Sequence, residues 1–211
     1  MSFTIAIDGP AASGKGTLAK GVAQHFLFSY LDTGLIYRAV AAVTLLKSDG
    51  QLNKAEAIKI AQSFKLKYLE LNNLRSSEAG INASIIASIP EVRTALLKFQ
   101  REFAVKGIGA VLDGRDIGTV ILPDAKLKMF VTADIKVRAE RRHKELLKSG
   151  LTITLEKVFE DLRERDCRDR SREHSPLKIS SNAHLIDTTE LSIETAITRA
   201  IELVRLERKK H

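Results

Sequence analysis

One nonapeptide constrains this chain more than any bulk property. It is Gly9-Pro10-Ala11-Ala12-Ser13-Gly14-Lys15-Gly16-Thr17, set between the apolar run Phe3 to Asp8 and a segment with helical spacing. A strand, a glycine-rich loop and a helix in that order are the setting of a phosphate-binding loop. The glycines let backbone N–H groups curl around phosphate oxygens, the helix N-terminus adds positive potential, and Lys15 neutralises phosphate charge. Gly16 holds the place usually taken by a hydroxyl residue. Thr17 supplies the hydroxyl one position later and is the candidate Mg²⁺ ligand.

Bulk composition then narrows the setting. With 211 residues, one core with insertions accounts for the length better than two independent domains. Apolar residues at 44% and charged residues at 28% exclude a disordered chain. No run approaches the roughly 18 apolar residues of a membrane span, so no membrane partner is expected. The N-terminal residues lack the charged and apolar regions of a secretory leader, and a single cysteine, Cys167, allows no internal disulfide and no cysteine-based zinc site. A cytoplasmic protein is the expectation. Thirty-four Lys and Arg against 26 Asp and Glu give a net charge of +8, which points to an anionic partner. Aromatics at 5%, with no tryptophan, argue against the stacking platforms of single-strand nucleic-acid binders.

Short apolar runs alternate with longer helical patterns, the signature of an α/β layered fold. Strands are expected at Phe3 to Asp8, Phe28 to Leu31, Ile108 to Leu112, Lys128 to Thr132 and His184 to Ile186. The period-two pattern of Lys65 to Leu71 predicts a further, half-exposed strand outside the main sheet. Helices are expected from about Lys15 to Phe28, Leu35 to Leu46, Lys54 to Phe64, Pro90 to Lys106, Ile135 to Lys148 and Leu155 to Arg172. A closing helix should bury Ile193, Ile197, Ala200, Ile201 and Val204 along one face. The histidines show no ligand spacing, and no metal cage is expected from them.

Two further motifs fall at strand ends. Asp32-Thr33-Gly34-Leu35-Ile36-Tyr37-Arg38 opens a helix and can present Arg38 near the carboxyl edge of the sheet. Asp113-Gly114-Arg115-Asp116 ends the third core strand, where a carboxylate, Asp113, can hold the water shell of magnesium and Arg115 can fork onto a phosphate. Half of the 16 arginines lie between Arg138 and Arg172, interleaved with acidic residues. That segment is either a dense ion-pair network or a phosphate clamp. Helical spacing puts Arg165, Arg168, Asp169 and Arg172 on one face. Together the motifs describe a two-substrate phosphoryl transferase.

The sequences IDGPAASGKGT, LDTGLIYR, IPEVR, LDGRDIGT and ERDCRDRSR together resemble the bacterial cytidylate kinases, from the first strand to the last helix. The GKGT ending is typical of nucleoside monophosphate kinases. The switch GTPases instead carry GKS or GKT and an Asn-Lys-x-Asp motif, which is absent. The resemblance implies a P-loop kinase fold, three-layer α/β/α with a parallel sheet of about five strands. It also implies one domain over residues 1–211, with an acceptor-binding insert at about 54–90 and an arginine-rich lid at about 155–172. The implied reaction transfers the ATP γ-phosphoryl group to CMP or dCMP in pyrimidine nucleotide metabolism, with Mg²⁺ as cofactor and a monomer as the working unit.

Residue by residue, the resemblance gives Gly9 to Thr17 to ATP, and Arg38, Arg115 and Arg172 to the acceptor phosphate. Thr33, Arg165 and Asp169 fall to the pentose, and Ser84, Arg93 and Asp116 to the cytosine. A carboxylate at Asp116 suits the N4 donor of cytosine, where uracil presents an oxygen. By analogy with adenylate kinases, Arg138 and Arg142 belong to the ATP side, one near the base and one near the γ-phosphate. Lys15, Arg115, Asp116, Arg165 and Arg172 form the expected catalytic set. Many relatives carry a longer, several-stranded insert where this chain has Lys65 to Ser84, so the acceptor-side region reads as trimmed. The competing readings are a kinase for another small acceptor, such as UMP, AMP or an alcohol, and a nucleotide- or nucleic-acid-binding module.

Overall fold

The apolar run Phe3–Asp8 forms β1, the middle strand of a five-stranded sheet. In the computed structural model, which describes residues 2–210, the strand order is β2-β3-β1-β4-β5. The other strands are β2 (Ser29–Asp32), β3 (Gly109–Gly114), β4 (Leu127–Thr132) and β5 (His184–Asp187). The pairs β1/β3, β1/β4 and β4/β5 are parallel, with Ile5 opposite both Val111 and Leu127. The near-continuous burial of β1, β3 and β4 is what a parallel sheet covered on both faces requires. Helices flank the sheet in the three-layer α/β/α arrangement expected from the sequence.

The chain divides into two compact units, one of residues up to Leu31 together with those from Arg101 onward, the other Asp32–Gln100. In the first, α1 (Lys15–Phe26) leaves the phosphate loop and packs on α8 (Ile193–Arg208). Leu18, Val22, Ala196, Ala200 and Val204 join Ile5, Ile7, Val111 and Met129 of the sheet in one apolar core. A separate apolar cluster lies between α6 (Ile135–Lys148) and α7 (Leu155–Ser171), where Ala139, Leu146, Val158 and Leu162 surround Ala11 of the phosphate loop. Gly150, with φ of +83°, separates the two helices.

The second unit is helical. Its elements are α2 (Thr33–Lys47), α3 (Lys54–Gln62), α4 (Ser77–Ile86) and most of α5 (Pro90–Ala104). Side-chain caps start three of them: Asp32 accepts from Leu35 N, Asn53 from Glu56 N and Ser76 from Ala79 N. Helix α2 packs against α3 and α4.

One expectation fails in this unit. Leu66–Glu70 is a 3₁₀ helix and not a strand. It has no neighbouring strand to complete a ladder, none of its residues is buried, and the chain instead closes the turn Tyr68 N to Lys65 O at 2.9 Å. The region 65–84 therefore holds no strand, and α4 fills its second half. The remaining elements agree with the expected ones within a few residues at their ends, except that Ile193, expected on the buried face of the closing helix, is exposed at its first position.

Candidate active site

The phosphate loop begins where β1 ends, at the carboxyl edge beside the middle of the sheet. Gly9 is required there because a Cβ would collide with the carbonyl oxygen of Val131 on β4. Gly14 caps α1 in a left-handed conformation, with Lys15 half-buried and Thr17 exposed in the first turn. The absence of a side chain at Gly16 has a local cause: a Cβ would lie 3.3 Å from Oδ2 of Asp113. That carboxylate, buried at the end of β3, accepts from the Tyr30 hydroxyl at 3.3 Å. Ser13 is fully buried, and its hydroxyl has no hydrogen-bond partner among the described residues.

Beyond β3, Arg115 and Asp116 lead into a single π-helical turn, Ile117–Ile121. Asp8, the last residue of β1, secures that turn. Its two oxygens accept from Ile117 N and Gly118 N, both at 2.8 Å. Burial pushes the Asp8 carboxyl up to about 6, because the two backbone N–H groups and Arg115 offset the loss of solvent only in part, and Asp116 adds repulsion. Asp8 is not among the site residues expected from the sequence. A carboxylate closing an otherwise apolar strand was the signal that could have found it.

Helix α7 supplies the densest charge. Asp169, nearly inaccessible, lies 2.8 Å from Arg115 Nε and 4.0 Å from both Arg165 Nε and Arg172 Nη2. Burial alone would raise the Asp169 carboxyl, but Arg115, Arg165 and Arg172 overrule it and hold it below the ordinary carboxylate range. Arg115 is shifted correspondingly: burial opposes its charge and Asp169 more than restores it. Three guanidinium groups thus converge on one carboxylate, and Asp113 and Asp166 act on Arg115 as well. Arg168, expected on the same face, pairs instead with Glu164 at 3.6 Å and is half-buried.

The two arginines assigned to the ATP side differ. Arg142 is paired with Glu145 at 2.8 Å. Arg138 is buried, and its Nε, Nη1 and Nη2 donate to Ala133 O at 3.0 Å, Ala11 O at 3.1 Å and Asp166 Oδ2 at 2.7 Å. Of the alternatives posed by the sequence, the ion-pair network is present in α6 and α7.

Within the unit Asp32–Gln100, Thr33 is buried at the start of α2, and Arg38 donates through Nη1 to Leu74 O at 2.7 Å and Ser76 O at 3.0 Å. Ser84 is buried on α4. Arg93 donates to Ala87 O at 3.1 Å, and its guanidinium lies 5.4 Å from the Tyr37 ring centre. Arg38 is thereby fixed by the loop before α4, and Arg93 by the turn after it. Both anchors sit beside a helix the sequence did not reveal.

Comparison with known proteins agrees with this chemistry. The family described as cytidylate kinase matches residues 5–206. A cytidylate kinase of Cereibacter sphaeroides is 52% identical over 98% of this chain and 97% of its own, and one of Bartonella bacilliformis is 50% identical over 96% and 94%. Among solved structures, a gluconokinase of Sinorhizobium meliloti superposes with a TM-score of 0.53 at 12% identity, covering 99% of this chain and 97% of its own, a likeness of fold. With its phosphate loop, its Asp-Gly-Arg-Asp turn and its arginine helix in the expected places, this chain belongs to the cytidylate kinase family.

Proposed function

We propose that this cytidylate kinase transfers the ATP γ-phosphoryl group to CMP or dCMP through the following division of labour. The loop Gly9 to Thr17 binds the ATP phosphates, with Lys15 on the transferring group and Arg142 at the donor. Arg38, Arg115 and Arg172 take the acceptor phosphate. Thr33, Arg165 and Asp169 take the pentose, and Ser84, Arg93 and Asp116 take the cytosine. Residues 54–90 are the acceptor-binding insert and 155–172 the lid, and the enzyme works as a cytoplasmic monomer.

The reaction needs little covalent help. An oxygen of the CMP phosphate forms a bond to the γ-phosphorus as the bond from that phosphorus to the β–γ bridging oxygen breaks, and ADP leaves with the bridging oxygen. The attacking oxygen is already ionised, so no general base is needed and Asp113 and Asp116 serve by position. What the protein must supply is positive charge at fixed points and the exclusion of water, a competing acceptor. The observation that carries this reading is the convergence of Arg115, Arg165 and Arg172 on Asp169, which gathers three guanidinium groups at one place.

The residues present fit a magnesium ion. Asp113 Oδ2 lies against Gly16, one residue from the Thr17 hydroxyl, and both are hard oxygen donors. No cluster of three His, Cys, Asp or Glu able to hold a metal exists among the described residues, which suits an ion that keeps most of its water. Thr17 and Asp113 would hold it, Asp113 through the ion's water shell. When bound, the ion would supply charge neutralisation on the ATP phosphates.

The test is ADP release measured in a coupled assay with CMP, dCMP, UMP, AMP and GMP in turn. CMP and dCMP should be strongly preferred, and Lys15→Ala should lower turnover by about 10³-fold. Near-normal turnover in that variant would remove Lys15 from its assigned role.

A further inference from the structure

The phosphate loop is fastened from behind at two alternate peptide groups, and both fastenings lead to helix α6. The carbonyl of Ala11 accepts from Arg138, itself locked to Asp166 of α7. The carbonyl of Ser13 accepts from the buried Thr188 hydroxyl at 3.0 Å, the shorter of that proton's two contacts, the other being Thr132 O at 3.2 Å. Arg141 grips Thr188 in turn, at 2.9 Å to its hydroxyl and 2.6 Å to its carbonyl. None of Asp166, Thr188 and Arg141 was singled out by sequence.

In a trans peptide the C=O and the following N–H point in opposite directions. Turning the Ala11 carbonyl inward therefore turns the Ala12 N–H outward. Turning the Ser13 carbonyl inward does the same for the Gly14 N–H. These are amides of the loop that must face phosphate oxygens. Ala12 also carries a left-handed backbone, φ +59°, which a non-glycine residue adopts only under restraint. The restraint is visible on the preceding residue, whose side chain is seated in the α6/α7 apolar cluster and whose carbonyl is held by Arg138.

From this geometry we propose that Arg138 and Thr188 are positioning residues for the phosphate donor, which hold the Ala12 and Gly14 amides aimed at the phosphates before nucleotide binds. Asp166 completes the device by fixing the Arg138 guanidinium and by joining the lid helix to the loop. The proposal rests on the kinase reading above but gives Arg138 a different part: it acts through the Ala11 carbonyl and not on the nucleotide. A formal cation behind a peptide carbonyl also polarises that peptide, which strengthens the opposite N–H as a donor.

The experiment uses the full-length enzyme and the non-hydrolysable donor AMP-PNP. Arg138→Met alone would strand the Asp166 charge in the interior and destabilise the fold for that reason. The double variant Arg138→Met/Asp166→Leu removes both charges and keeps the packing, and Thr188→Val removes one hydroxyl without changing shape. Calorimetric affinity for AMP-PNP should fall about tenfold in the double variant and severalfold in Thr188→Val, with CMP affinity unchanged in both. In the nucleotide-free protein, the amide resonances of Ala12 should move in the double variant and those of Gly14 in Thr188→Val. Arg138→Lys, which restores a donor for the carbonyl, should recover part of the affinity.

Wild-type AMP-PNP affinity in folded double variant and Thr188→Val would overturn the proposal. Weakened affinity with unmoved amide resonances would overturn it as well, and would make Arg138 a direct nucleotide ligand. If the double variant does not fold, Thr188→Val decides the matter alone. Wild-type enzyme that binds AMP-PNP but fails to phosphorylate CMP would instead count against the function proposed above and leave this device standing.

Discussion

The carboxyl end of β1 and the arginine face of α7 each bury an aspartate, and the two are treated oppositely. Asp8 is held by two backbone N–H groups and its carboxyl rises to about 6. Asp169 is held by guanidinium groups and its carboxyl falls below the ordinary range. Both are removed from water, so burial is not the difference. Two short hydrogen bonds from neutral amides do not offset the loss of solvent around an anion, whereas formal positive charge does. The α7 region thus keeps its charges fixed across the neutral range, while the brace under the Asp-Gly-Arg-Asp turn titrates near its edge.

The largest expected effect comes from the charged side of this contrast. Arg115→Ala removes the cation nearest Asp169 and should lower turnover by about 10³-fold, measured by steady-state ADP release. Turnover within a few-fold of wild type would show that the α7 charge cluster is not directed at the reaction. Next, Asp169→Asn leaves Arg115, Arg165 and Arg172 facing one another without their carboxylate. Urea unfolding should show a loss of about 3–5 kcal/mol at pH 7, as for other buried pairs broken on one side.

The contrast is sharpest in pH. Because the folded-state carboxyl of Asp8 lies above its unfolded value of 3.8, its contribution to stability is full at low pH and is lost as pH rises from about 4 through about 6. Asp169 has the reverse sign: its contribution is present above 3.8 and is lost as pH falls below that value. Asp8→Asn should therefore abolish a decline of about 3 kcal/mol between pH 4 and pH 7, seen as a flatter stability profile than wild type over that window. Equal slopes in variant and wild type would erase the difference between the two aspartates. The smallest effect is expected at Cys167, exposed on α7 among these charges. Cys167→Ser should change turnover and stability negligibly, within about 0.5 kcal/mol.

How far the sequence reached depends on range. Signals carried by neighbouring residues were readable: the phosphate loop by its spacing, α6 and α7 by their period and by Gly150. Where local preference is weak, the sequence does not specify the element. Leu66 to Glu70 alternates in polarity yet has no strand to pair with, and α4 contains Gly80, Asn82 and Ser84, poor helix formers held by a Ser76 cap and by packing on α2. The partners in contacts between distant residues left no local trace. Asp8 meets Ile117 across 109 positions and Thr188 meets Ser13 across 175, so the supports behind the phosphate loop and beneath the Arg115 turn became visible only in the fold.

The central claim is that these fixed charges serve phosphoryl transfer to a cytosine monophosphate. The direct measurement is ATP consumption in magnesium with no acceptor, with CMP and with UMP, for wild type and Asp116→Asn. Wild-type enzyme should consume ATP rapidly only with CMP, and Asp116→Asn should narrow the preference over UMP. Equal wild-type rates with CMP and UMP, or consumption that needs no acceptor, would contradict it.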